Sequence, residues 1–76
     1  MVEGIYEHFK GGRYKVTGTR LLVGKINEIE IEEPVVEYQN HAGEKFARLM
    51  SDFTEKVHRD GKVIPRFRYL PLARGL

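Results

Sequence analysis

Gly4-Ile5-Tyr6-Glu7-His8-Phe9-Lys10-Gly11-Gly12-Arg13-Tyr14-Lys15-Val16-Thr17-Gly18 is the stretch that decides the fold. It predicts two strands, residues 5–10 and 13–20, around the Gly11-Gly12 pair. Paired glycines adopt the positive φ of a two-residue hairpin turn without steric cost. Two registers are open. If Gly11-Gly12 alone turn the chain, Phe9 faces Tyr14, His8 faces Lys15, and His8 shares an outer surface with Tyr6, Lys10, Arg13 and Lys15. If Arg13 joins the loop, His8 faces Val16, Tyr6 faces Gly18, and both lie on the face that carries Tyr14 and Val16. A slip of one residue exchanges the faces.

Working outward, Ile26 to Glu32 alternates, with Ile29 and Ile31 on one side and Glu28, Glu30 and Glu32 on the other. That is the period of a half-buried strand. Pro34 is expected to interrupt it, and Val35 to Tyr38 to resume as a strand. Asn40-His41-Ala42-Gly43 reads as a turn. Lys45 to Met50 reads as a strand with Phe46, Arg48 and Met50 on one side. Ser51-Asp52-Phe53 reads as at most one short helical turn, capped by Ser51 or Asp52. A longer helix over Glu44 to Arg59 competes, because Ala47, Met50, Phe53, Thr54 and Val57 fall near helical spacing. Asp60-Gly61 marks a second hairpin between Glu55–His58 and Val63–Leu70, with Pro65 at an edge or bulge. Short strands joined by close turns predict an all-β fold: a small, barrel-like, strongly curved antiparallel sheet of five or six strands.

A chain of 76 residues is expected to form one domain, 4–70, with 71–76 a loose tail. Its core is small, since folding at this size buries only about 60% of the unfolded chain's surface. There is no cysteine, which excludes disulfides and thiolate metal sites and fits a reducing, cytoplasmic setting. No apolar run reaches the roughly 20 residues a membrane helix needs, and no membrane partner is expected. The net charge of +2 is unevenly spread. Six glutamates and no base lie from Glu28 to Glu44, whereas eight bases stand against three acids from Lys45 to the end. Internal pairing between these regions, or a two-sided surface, follows.

The pattern Gly4-x-Tyr6-x-His8-Phe9-Lys10-Gly11-x-x-Tyr14-x-Val16-x-Gly18 resembles the opening of the domain-of-unknown-function family 1653. Val35-Val36 and Tyr38 match its Val-Val-Tyr strand, Arg48 and Phe53 its Trp-x-Arg-Pro-x-x-Met-Phe segment, and Gly61-Lys62-x-x-Pro65-Arg66-Phe67-x-x-Leu70 its Gly-x-x-x-Pro-Arg-Phe ending. The chain departs from the pattern at Phe46, near the family's tryptophan, at Leu49 in place of its proline, and over Arg20 to Pro34, which is longer than usual. The resemblance implies a small β-barrel, the SH3-like kind being one form, and no activity. It aligns Tyr6, His8, Tyr14 and Val16 together, which favours the second register.

His8 is the first candidate for chemistry, as an acid, base or anion contact near neutral pH; a histidine packed into the hairpin is the plainer alternative. Arg48 and Arg66 sit beside aromatics, and an arginine fork binds a carboxylate or phosphate bidentately. Ion pairing to the glutamate-rich centre is their structural alternative. Tyr6, His8, Arg48 and Arg66 together are the expected binding residues of an anion-accepting cleft. Glu28, Glu30 and Glu32 form a ladder whose rungs are roughly 6.5–7 Å apart, too far to converge on one cation, and which suits solvation or edge protection. His41 and His58 lack metal-ligand spacing, so no metal is expected. Ser51 is the only serine and stands in no nucleophile motif; no phosphate loop or cofactor motif is present.

Three functions compete. A non-catalytic binding module for a peptide or small anionic ligand is favoured. Nucleic-acid binding is the alternative, drawn from the pI of about 9.0 and from Tyr6, Phe9, Phe67 and Tyr69 as stacking surfaces. A small enzyme using His8 comes third, for want of a visible catalytic partner. Both a monomer and a homodimer fit, since the strand at Ile26 to Glu32 could pair across a dimer.

Overall fold

The backbone register of the first hairpin sets the rest of the architecture. In a computed structural model describing all residues Met1–Leu76, β1 (Gly4–His8) and β2 (Arg13–Ile26) pair antiparallel with Tyr6 opposite Tyr14 and Gly4 opposite Val16. Neither expected register is present. The loop is Phe9-Lys10-Gly11, closed by the His8 amide donating to the Gly12 carbonyl at 3.0 Å. The Phe9 amide donates instead to the Arg66 carbonyl at 2.9 Å, which draws the chain off β2 before the glycines are reached. Gly11 and Gly12 both hold positive φ, +97° and +87°. The offset from the three-residue alternative is an even number of residues, so Tyr6, His8, Tyr14 and Val16 do share one face.

β2 continues far past β1 and folds back as β3 (Ile29–Gln39). The expected strand from Ile26 to Glu32 is therefore split by a turn at Asn27-Glu28, whose φ values are +50° and +66°. Two positive φ values are what a two-residue hairpin with right-handed strand twist demands, and asparagine tolerates that region. Pro34 does not interrupt β3. It lies opposite Leu21, and pairing on the other edge of β3 begins only at Val35, so its missing N–H costs no ladder bond. A register shift between Val16 and Gly18 marks a bulge at Thr17.

β4 (Lys45–Leu49) pairs with Val35–Gln39, and β7 (Phe67–Tyr69) pairs with the outer side of β1. The result is a five-stranded antiparallel sheet in the order β4-β3-β2-β1-β7. It stays open and is not closed into a barrel. The long helix over Glu44 to Arg59 does not form. β4 takes its first part, and one helical turn, α1 (Met50–Phe53), follows with Leu49 at its N-cap and no side-chain cap. Thr54 Oγ1 donates to the Met50 carbonyl at 2.8 Å to close it.

β5 (Lys56–Arg59) and β6 (Lys62–Pro65) form a separate hairpin around Asp60-Gly61. The expected single strand from Val63 to Leu70 breaks at Arg66. Its amide donates to the Glu55 carbonyl at 3.0 Å and its carbonyl accepts from Phe9, so one residue ties both sheets together. Beyond β7 the Leu70 amide donates to the Ile5 carbonyl at 2.8 Å.

The core lies on one face of the main sheet. Tyr6, Val16, Val36, Tyr38, Phe53 and Phe67 form it, with Tyr14 and Met50 packed against it. Phe53 and Phe67 stack at 4.1 Å between ring centroids, 3° from parallel. The single turn of α1 exists to deliver Phe53: with no cysteine to staple so small a domain, one large ring gives much of the apolar burial.

Candidate functional site

Strand alternation carries an aromatic stripe across the core face. β4 contributes Phe46 and Arg48, β3 Tyr38, β2 Tyr14, β1 His8 and β7 Phe67, and the pairings Tyr38–Phe46 and His8–Phe67 set them side by side. Toward α1 this stripe is covered by Phe53. At its other end it opens into a cleft of about 150 Å³ lined by His8, Tyr14, Tyr38, Phe46, Arg48 and Phe67. The walls are rings in mutual contact: Tyr38 stacks on Phe46 at 5.4 Å, and Tyr14 meets Tyr38 at 5.6 Å and Phe67 at 5.8 Å.

Arg48 is held by its own neighbours. Its Nε donates to the Tyr38 hydroxyl at 3.3 Å, and its guanidinium lies 5.9 Å from the Phe67 ring centroid. That hydrogen bond holds its pKa above the usual value, with nearby Tyr38, Asp52 and Tyr14 adding in the same direction against burial. No carboxylate is within ion-pair distance of it. Of the other arginines, Arg20 pairs with Glu37 and Arg68 with Glu7, both at 2.8 Å, and Arg66 with Glu55 at 3.3 Å, whereas Arg13, Arg59 and Arg74 are exposed and have no carboxylate in ion-pair range.

His8 stands edge-on to Phe67 at 4.9 Å. Its Nδ1 accepts the Lys10 amide at 3.1 Å, so the neutral ring carries its proton on Nε2. Burial lowers its pKa below 6.5, and the charges of Arg48, Arg66 and Lys10 lower it further. Near pH 7 the ring is neutral and its free nitrogen is a donor. The cleft thus offers the free N–H groups of Arg48 and the Nε2–H of His8 between aromatic walls, a donor set for a planar anion. His8 also borders a second, wider groove of about 380 Å³ with Glu7, Phe9, Gly11, Ile64, Pro65 and Arg68.

Of the four residues expected to line a cleft, His8 and Arg48 do. Tyr6 is on the same face but buried in the core; its hydroxyl donates to the Val2 carbonyl at 2.7 Å, and burial, with Tyr69 beside it, raises its pKa. Arg66 lies near enough to His8 to lower its pKa, but it is turned to Glu55, and its Nε is buried without an acceptor. Neither Arg48 nor Arg66 pairs with the glutamates between Glu28 and Glu44, contrary to the structural alternative; Glu55 lies outside that run. Glu28 sits in the β2–β3 turn, which reduces the expected ladder to Glu30 and Glu32. Tyr6 and Phe67, two of the four proposed stacking rings, are buried. Tyr14, Tyr38 and Phe46 are not among the expected site residues, and Phe67 is expected only as a stacking ring. The i, i+2 spacing of Phe46 with Arg48 and of Tyr14 with Val16 is the signal that places Phe46 and Tyr14 on the core face.

The chain belongs to the family described as protein of unknown function (DUF1653), whose model matches residues 4–69. No curated protein and no solved structure matches it. No helix is long and apolar enough to cross a membrane.

Proposed function

We propose that this member of a family without a known activity is a small binding module, and that the His8–Arg48 cleft accepts a carboxylate carried by a peptide or small molecule. The observation that carries the reading is Arg48. It is oriented by Tyr38, half-buried and walled by rings, and it has no ion-paired carboxylate; Arg13, Arg59 and Arg74, which also lack one, are exposed. A guanidinium in partly apolar surroundings with no carboxylate in direct contact gains from an incoming anion, since charge-assisted pairs are about twice as strong as neutral hydrogen bonds.

Size restricts the ligand. A cleft of about 150 Å³ is well below the roughly 300–1,000 Å³ of sites that engulf drug-sized molecules. It admits a carboxylate head and a flat group beside it. Binding is coupled to protonation: an anion beside His8 offsets the repulsion from Arg48 and raises the histidine's pKa, so affinity increases as pH falls through the titration of His8.

The test is an NMR titration of the protein with sodium benzoate, with benzamidine as the cationic control. Benzoate is expected to shift the resonances of His8, Tyr14 and Phe46, and Arg48→Met to abolish the shifts while the amide spectrum stays folded. Equal responses to benzoate and benzamidine, or an unchanged benzoate response in Arg48→Met, would refute the reading.

A further inference from the structure

Beyond the ends of β1 and β4, strands β2 and β3 run on alone as a two-stranded arm. Two-stranded ribbons are marginal in water, and three or more strands are needed for independent stability. The two open edges of this arm differ. The β3 edge carries Glu30, Glu32, Glu33 and Pro34. Charge and proline are the devices that keep an edge strand from pairing. The β2 edge carries Leu21-Leu22-Val23 in succession, 58%, 59% and 55% exposed. Over these three residues the edge has neither the charge nor the proline that keeps an edge strand from pairing, and a long apolar edge strand is a template for another chain. Ile26 and Ile29 beside them are 62% and 66% exposed.

We infer that the missing neighbour is β2 of a second copy, paired antiparallel about a two-fold axis through Leu22. In that register Leu22 faces Leu22 of the second copy, Leu21 faces Val23, Arg20 faces Gly24 and Thr19 faces Lys25. Apolar residues meet apolar residues and no charge stands opposite a like charge. The corresponding pairing of two β3 edges about Ile31 sets Glu30 against Glu32 twice, which is destabilising. Charge therefore selects β2. The pairing spans Gly18 to Ile26, about 30 Å of strand at 3.4 Å per residue. Residues before Gly18 then fall beyond the tip of the other arm, so the two bodies do not collide. The product is a four-stranded sheet, β3-β2-β2-β3, with its two-fold at the centre.

The chain has no cysteine, which makes cross-linking clean. Residues facing each other across antiparallel strands have Cα atoms about 4.5–5.5 Å apart, within disulfide range. Leu22→Cys is expected to oxidise to a covalent dimer at least tenfold faster than Ile29→Cys, whose two copies would lie about 25 Å apart along the strand direction. Should Leu22→Cys fail to fold, a mixture of Leu21→Cys and Val23→Cys proteins must cross-link to each other faster than either does to itself. Sedimentation of the unmodified protein is expected to give twice 8.8 kDa, and Leu22→Lys to return it to the monomer. A monomer at every concentration tested, a polymer larger than the dimer, or faster cross-linking through Ile29→Cys would overturn the inference.

Discussion

Truncating Phe53 to alanine is expected to remove a large part of the domain's stability. Phe53 is 1% exposed and is the one fully buried residue of α1. It stacks on Phe67 at 4.1 Å and meets Tyr6 and Tyr38 edge-on, each at 5.5 Å. Burying such a ring is worth about 1.5–3 kcal/mol in transfer alone. The cavity left behind brings buried Phe→Ala changes to about 3–5 kcal/mol. With three ring partners lost, the upper half applies, about 4 kcal/mol, since aromatic pairs add roughly 0.5–1.5 kcal/mol beyond area. A chain of this length has a total stability of only about 4–11 kcal/mol. Phe53→Ala should thus unfold at a much lower urea midpoint or be partly unfolded without urea. Phe53→Leu keeps most of the volume and loses the ring contacts, for a cost of about 1–2 kcal/mol. The assay is urea unfolding followed by far-UV circular dichroism and tyrosine fluorescence, there being no tryptophan. A Phe53→Ala cost below about 1 kcal/mol, or Phe53→Leu as costly as Phe53→Ala, would refute the view that the ring closes the core.

Three further outcomes follow from the same geometry. Arg48→Met should raise the His8 pKa toward 6.5, because burial is the first cause of its depression and the Arg48 charge the second; a proton NMR titration of the ring reads this directly. Stability should fall as pH drops from about 6.5 through the folded-state pKa of His8, since the unfolded chain binds that proton first, and His8→Gln should flatten this segment of the stability–pH curve. Glu28→Gly, at a φ of +66°, should stabilise the arm by about 1 kcal/mol, seen as slower amide exchange in residues 20–34.

How much was legible in the sequence differs from element to element. The Asp60-Gly61 hairpin forms where its turn residues place it, because asparagine, aspartate and glycine determine turns through local backbone sterics. The Gly11-Gly12 hairpin does not, although its glycines take positive φ. There the Arg66 carbonyl, more than fifty positions away, takes the Phe9 amide and moves the loop. Alternation in Ile26 to Glu32 is genuine, yet the turn falls inside it, because the body of the sheet sets the register of β2 against β3 and Asn27-Glu28 comes where that register ends.

By itself the sequence determined an all-β chain, the core-face grouping of Tyr6, His8, Tyr14 and Val16 that the family resemblance favours, and the glutamate-rich segment. These follow from period-two alternation, turn sterics, residue content and a matching motif. Only the tertiary structure decided which cations are paired. Glu7 reaches Arg68 across β1 and β7, Glu37 reaches Arg20 across β2 and β3, Glu55 reaches Arg66 at the base of the β5–β6 hairpin, and Arg48 is left with Tyr38 and an open cleft. Pairing is a property of side chains brought together in space, and no spacing along the chain encodes it. The same holds for the apolar run Leu21-Leu22-Val23, which only the sheet order places at an edge.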